Sequence, residues 1–402
     1  MRMTTDTMTT TETKTKYSLE SIALAALVVF VGALQLSIAA AHILLTVTLL
    51  LWVTVIIVRR ERPEVPTIFW PLSVYALLTL VASAFSVAPF ASFIDSKQLV
   101  LFLIIPAVYR LAHGTNARTV SKVIVSVGAM AAALGIIQYG ILEFDHLGQR
   151  PQGTMGHYMT YSGLLMLVIA LAAAMILFSK RDRTWPALVM PALLVALALT
   201  FTRSAWVGAC AAIGMLLILK DFRLLAILPA LAGLFFVTAP TQLTDRVYSV
   251  FNLQDPTNRD RLAMVRTGIR IVRDHPLTGV GPDVIKDVYP AYRDALAVQD
   301  NNPHLHNVPL QIAAERGLPA LAIWLWFILS AVRGLLQKIR TSSDQALAAG
   351  GLAAIVAMTA AGMFEYNFGD SEFLMLLLVL ITLPYAADRK FQRKDLTSSS
   401  PQ

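Results

Sequence analysis

Only one of the 402 residues is a cysteine, and only 14% are Asp, Glu, Lys or Arg. The single thiol, Cys210, excludes an intramolecular disulfide and any cysteine-based metal cluster, and it leaves the redox compartment unread. Scarce charge beside 56% hydrophobic residues excludes a soluble domain of this size, in which about a quarter of the side chains are usually charged. A typical cleavable signal peptide is also lacking. The first apolar run follows a Thr-rich polar stretch, 1–18, read as a disordered cytoplasmic tail, and a second run comes almost at once. The formal net charge of +8 would suit nucleic acid, but the basic residues sit in short breaks between apolar runs, where topology signals belong, so no nucleic-acid partner is expected.

What is present is a succession of apolar runs, and about 20 residues suffice to span a bilayer core. The fold class expected is all-α: a polytopic membrane protein with about twelve transmembrane helices and one large periplasmic loop containing amphipathic helices. Spans 1–9 fall in 19–239 and spans 10–12 in 318–386, with the catalytic loop at 240–317 and a cytoplasmic tail at 387–402. Alternate breaks are basic: Arg59, Arg60 and Arg62, then Arg110, Arg118 and Lys122, then Lys180, Arg181 and Arg183, then Lys220 and Arg223, then Arg333, Lys338 and Arg340. The positive-inside rule therefore places both termini in the cytoplasm and the loop on the far side, in a bacterium the periplasm, where there is no ATP.

That loop, Thr241–Arg316, is the one long polar interval, with nine basic residues, nine acidic residues and three of the seven histidines. Within it RLAMVRTGIRIVR (261–273) reads as an amphipathic helix, closed by Asp274-His275-Pro276 and a Gly279/Gly281 turn. Leu262, Val265, Ile269 and Val272 form one stripe; Arg266, Arg270 and Arg273 form another, a solvated face or a headgroup contact. Arg261 projects near the Val265/Val272 stripe, where it either meets an anion or lies at an exposed helix end. Arg203, in the tight Thr202–Ser204 corner on the positive-poor side, and Arg150, in QRPQGTMGHY, each read as a snorkelling arginine or an anion ligand. His304 and His306 lack a third ligand at metal-site spacing, so a single histidine acting as general base suits the segment better than a metal centre. Asp370 and Glu372, with Glu365, read as helix caps or as a divalent-cation pair.

Four local patterns then resemble the O-antigen ligase and O-antigen polymerase superfamily of bacterial membrane glycosyltransferases, most closely the ligase. They are Arg150–Gly153 with His157–Gly163; Thr202-Arg203-Ser204-Ala205-Trp206; Arg261-Leu262-Ala263-Met264-Val265 followed by DHPLTGVG (274–281); and His306-Asn307 with Gly317. Val265 stands where the family often has Trp, and Ala320 where ligases tend to have Gly, Thr or Tyr. The resemblance implies transfer of an O-antigen glycan from undecaprenyl diphosphate to a lipid A–core hydroxyl in lipopolysaccharide biosynthesis, at the periplasmic face of the inner membrane. It implies membrane lipids as surroundings, and no metal or other cofactor. It also implies roles: Arg203 and Arg261 on the diphosphate, His306 as general base, and Arg150, His304, Asn307 and Arg266 as further substrate contacts. An O-antigen polymerase or a protein O-oligosaccharyltransferase of the same superfamily is the alternative. A secondary transporter fits less well, since charges in the spans are few and no internal repeat is evident.

The charge alternation yields a testable topology. In a chain with Cys210 replaced, cysteines at Lys180, Arg223, Lys338 and Lys394 should resist an impermeant thiol reagent in intact cells, and cysteines at Arg150, Arg261 and His306 should react. Labelling at 338 would overturn the scheme.

Overall fold

A computed structural model describes residues 5–389, apart from 253 and 343. Every regular element among the described residues is helical. The first part of the chain holds α1 (Thr5–Ala33), α2 (Ile38–Arg59), α3 (Phe69–Ala84), α4 (Pro89–Asp95), α5 (Ile104–Leu111), α6 (Asn116–Gly140), α7 (Tyr158–Phe178), α8 (Thr184–Leu199), α9 (Arg203–Asp221) and α10 (Ile227–Thr238). The loop holds α11 (Thr241–Tyr248), α12 (Pro256–Asp274) and α13 (Ile285–Tyr292), and the chain closes with α14 (Val308–Thr341), α15 (Gln345–Gly362) and α16 (Ser371–Ala387). α1 thus starts within the segment expected to be a tail, ahead of its apolar part at Leu19–Ala33, while 1–4 and 390–402 lie outside the described residues.

Among the described residues, six helical segments are long and apolar enough to cross a membrane: α2, Pro89–Leu111, α6, α7, α14 and α15. Four shorter apolar helices accompany them, Leu19–Ala33, α3, α8 and α16. A 16-residue helix such as α3 is about 24 Å long, short of a typical hydrocarbon core of about 30 Å.

The bundle is built around α7, which is buried on every side from Thr160 to Met175. Helices pack closely in apolar surroundings where small side chains let backbones approach. α15 supplies Ala348, Ala349, Gly350, Gly351, Ala353 and Ala354, all buried, and a Cβ on Gly350 would come within 2.9 Å of Leu171. Gly208 of α9 is tighter still, since a Cβ there would lie 2.7 Å from the Ala357 carbonyl. At the far end of the bundle from the loop, Arg110 is 4% exposed and donates to Glu61 at 2.6 and 2.8 Å and to Glu20 at 2.6 Å. The sequence reading counted Arg110 only as a topology charge; its burial makes it an internal tie between α5 and α1 as well.

The loop folds on a core of its own, made by Met264, Ile271, Val280, Val284, Ile285, Tyr289, Leu305 and Ala314. α12 begins at Pro256, whose missing N–H costs nothing there, and Asp255 caps it by accepting from the N–H groups of Thr257 (3.0 Å) and Asn258 (3.2 Å). Its buried face is Asp260, Ala263, Met264, Thr267, Gly268 and Ile271, not the expected stripe, since Leu262 is 49% and Ile269 42% exposed. Size rather than hydrophobicity decides the face. A Cβ on Gly268 would lie 2.6 Å from Leu310 and 2.8 Å from Leu305, so only a face of small residues can press this closely against α14. Buried Asp260 is satisfied by the N–H groups of Val298 (3.0 Å) and Gln299 (3.1 Å), which pins the returning chain beneath α12.

α14 is not one straight helix. Gly317 adopts φ 81°, ψ 169°, separating an arm, Val308–Arg316, from the long apolar part that follows. The turn at 276–281 fastens onto this break: Val280 and Gly281 N–H donate to the carbonyls of Ala314 and Glu315, both at 2.9 Å, and Leu318 N–H donates to Pro276 at 2.8 Å. Gly279 has φ 66°, and a Cβ there would lie 2.2 Å from the Glu315 carbonyl carbon. Gly279→Ala should therefore lower the thermal midpoint in detergent by the equivalent of more than about 2 kcal/mol, since the left-handed backbone alone costs about 1–2 kcal/mol. Gly114→Ala is the comparison, because Gly114 has φ 58° with nothing within 4 Å of a new Cβ, and it should show only the backbone part.

Candidate functional site

His306 precedes α14 and has φ 49°, a conformation that a β-carbon disfavours. Its neighbours hold it there. Asn307 caps α14, its Oδ1 accepting from Leu310 N–H at 2.9 Å while its Nδ2 donates to the Met363 carbonyl at 3.0 Å. On the other side, Leu305 N–H donates to Gln311 Oε1 at 2.7 Å. Asn307, expected as a substrate contact, thus spends both polar ends on fixing the backbone at His306. Non-helical backbone held this firmly is a common feature of functional sites.

His306 Nδ1 lies 2.9 Å from Glu365 Oε2, and His304 Nε2 lies 3.4 Å from Glu365 Oε1, with the two rings 4.2 Å apart. Glu365 comes from the turn that follows α15, and its side chain is only 13% exposed. Burial alone would raise its pKa; hydrogen bonds from His304 and His306, and their charge when protonated, outweigh this and hold it well below the ordinary carboxylate range. An ionised carboxylate only accepts, so His306 carries its proton on Nδ1, and in the neutral ring Nε2 is left as the acceptor.

The third ligand that the local spacing of the two histidines did not offer is thus supplied by Glu365. One ligand atom from each of His304, His306 and Glu365 lies within 4.8 Å of the others, a set that could also take a metal ion. Asp370 and Glu372 are not part of it. Asp370 caps α16 by accepting from Phe373 N–H at 3.0 Å and also accepts from Thr160 at 2.5 Å.

Beside this group the structure gathers arginines. Arg203, the first residue of α9, is 6% exposed and donates to Ser249 Oγ and Asn258 Oδ1, both at 3.0 Å, with Asp255 at 3.6 Å. A cation is unfavourable at a helix N-terminus, and these partners offset that. Arg261, at the second turn of α12, is half-buried and has no hydrogen-bonding or ion-pairing partner among the described residues. Its pKa is lowered, first by burial and then by Arg203, against the opposing pull of Glu365, so the three charges lie near enough to act on one another in one half-buried region, the cleft below. Arg150 lies 4.2 Å over the Tyr158 ring and donates to the Leu147 carbonyl at 3.0 Å. The backbone that follows it is held by Gln138, which accepts from Gln152 and Gly153 N–H at 2.9 Å each.

Arg266 is placed elsewhere. It is 47% exposed and lies 3.8 Å from Asp294, which also pairs with Arg270 at 2.9 Å, so it lines the solvated face rather than the cleft. Sequence reading missed Arg246, and it grouped Glu365 with Asp370 and Glu372 rather than with the histidines. Glu365 is 59 positions from His306, and Arg246 is one basic residue among nine in the loop. Arg246 sits on α11, donates from Nε to the Phe201 carbonyl at 3.4 Å, and has its pKa lowered to about 10 by burial and then by Arg203 and Arg150.

Fold and cleft together define a multi-pass helical membrane protein whose loop brings a histidine–carboxylate pair to a group of arginines. Residues 187–325, a segment that contains Arg203, Arg246, Arg261 and His306, match the family model described as O-antigen ligase. No curated protein matches the chain.

The depressed Glu365 has a consequence for stability. A carboxylate with a lowered folded pKa stabilises above its ordinary value of 4.5 and loses that contribution as the pH falls through its folded value. Wild type should melt above Glu365→Gln at pH 7, and the gap should narrow on acidification below about pH 4.5. A gap unchanged down to pH 3 would contradict the ionised pair.

Proposed function

We propose that the protein is a polyprenyl-diphosphate-dependent glycosyltransferase, an O-antigen ligase. It moves an O-antigen glycan from undecaprenyl diphosphate to a hydroxyl of the lipid A–core, from a twelve-span fold whose loop faces the periplasm. The observation that carries this is the pairing of His306, with its proton held toward Glu365, and Arg261, a cation that makes no ion pair among the described residues. A half-buried, unpaired guanidinium calls for an anion, and its planar fork suits a phosphate. Supporting it are the family match over the loop and the superfamily patterns of the sequence.

In this reading the acceptor hydroxyl gives its proton to His306 Nε2 as its oxygen attacks the anomeric carbon. The bond from that carbon to the donor phosphate breaks, and the electron pair leaves on the diphosphate oxygen. Glu365 orients the ring and stabilises the imidazolium that forms. Arg261 binds the diphosphate, and Arg203, tied to the start of α12, meets it from the bundle side. The diphosphate is itself a good leaving group, so neither ATP nor a metal is needed.

His306→Ala should lower transfer by about two to four orders of magnitude while donor binding persists. Arg261→Ala and Arg203→Ala should abolish transfer, with Lys rescuing only in part because it keeps charge but not the fork. Protein treated with EDTA should stay active; loss of activity restored by added metal would make the His304–His306–Glu365 set a metal centre instead. A strain lacking the protein should accumulate lipid-linked polymer with no long chains on its lipopolysaccharide. A lipopolysaccharide capped with one repeat would instead indicate a polymerase.

A further inference from the structure

The structure assigns a third arginine to the leaving group: we propose that Arg246 binds the departing diphosphate and meets the charge that develops on it, a role that rests on the glycosyltransferase reading above. The corner between α8 and α9 sets this up. Phe201 has φ 53°, and its carbonyl accepts from Arg246 Nε at 3.4 Å. That single contact uses the one nitrogen that does not belong to the guanidinium's terminal pair, and no other partner of the Arg246 side chain is present among the described residues. The Arg246 carbonyl in turn accepts from Ser249 Oγ at 2.8 Å, and the same hydroxyl accepts from Arg203 Nη1 at 3.0 Å. Arg246 and Arg203 are therefore joined through one serine.

Charge balance gives the third arginine its task. Arg203 is already partly neutralised by Asp255 at 3.6 Å, whereas Arg246, Arg261 and Arg150 make no ion pair among the described residues. Gathering unpaired cations in a half-buried cleft is unfavourable unless an anion joins them. During transfer the diphosphate goes from doubly to singly substituted, and its freed end gains a further charge approaching one unit near neutral pH. A donor group aimed at charge that appears only as the bond breaks lowers the barrier more than it tightens binding. Burial and the neighbouring arginines lower the Arg246 pKa to about 10, a shift that an anion bound beside it would oppose.

The test uses full-length protein in nanodiscs, assayed for turnover at saturating donor and for inhibition by undecaprenyl diphosphate and by undecaprenyl phosphate. Arg246→Gln should lower turnover at least about tenfold and reduce the preference for diphosphate over monophosphate as inhibitor by a similar factor, with Arg246→Lys recovering part of both. Unchanged turnover and preference in Arg246→Gln, alongside loss of both in Arg261→Gln, would overturn the role of Arg246 and leave the glycosyltransferase reading intact. If the wild-type protein shows no transfer from the lipid-linked donor, the glycosyltransferase reading fails and this role fails with it. Equal weakening of both inhibitors, with no rescue by Lys, would mark general damage to the fold and equally overturn the role.

Discussion

A broken helix cannot leave its peptide groups bare in an apolar setting, and the break at Gly317 organises much of what surrounds it. The carbonyls of Ala314 and Glu315 are met by Val280 and Gly281, so the 276–281 turn has only one place to sit. That placement sets where α12 ends, and the small face of α12 then settles on Leu305 and Leu310. Arg261 is carried into the cleft by the same helix. The arm Val308–Arg316, freed from the line of the rest of α14, presents its capped end, and with it His306, toward the end of α15.

Beneath the arm lies a polar layer that a bundle of apolar helices would not otherwise tolerate. Glu315 and Arg316 pair with each other, Gln311 donates to Glu315 at 2.7 Å, and Asp95 of α4 lies 3.7 Å from Arg316. Asp283 N–H donates to Glu315 at 3.0 Å, so the loop is joined to the bundle by charge as well as by backbone hydrogen bonds. Removing one member would strand its partner, at a cost of about 3–5 kcal/mol for a buried pair.

Much of this was legible in the sequence, and the reasons differ by element. The helices follow from apolar runs with charged breaks, and the loop from its polar composition. The turn at Gly279 and Gly281 follows from the need for left-handed backbone, which the close approach to α14 then explains. Arg203, Arg261 and His306 stood out because each carries charge or a titratable ring beside apolar sequence. The face of α12 was misjudged because hydrophobic periodicity does not weigh size, and here Ala263, Thr267 and Gly268 outrank Leu262 and Ile269. Glu365 could not be assigned to His306 because pairing across 59 residues leaves no local pattern. Nothing in the spacing of the loop's nine basic residues marks Arg246 as the one that turns toward the corner at Phe201.

The burial of Arg203 bears on how a lipid reaches the cleft. Its guanidinium joins the first turn of α9 to Ser249, Asn258 and Asp255, all in the loop. Were the loop to swing away like a hinged cover, this cation would lose every one of those partners at once. For the polyprenyl-linked donor proposed above, the less costly passage would be sideways, between helices at the level of the loop, with its head group sliding into place under a roof that stays shut. A protein built in that way would admit substrates by the width of the gap rather than by the timing of a gate.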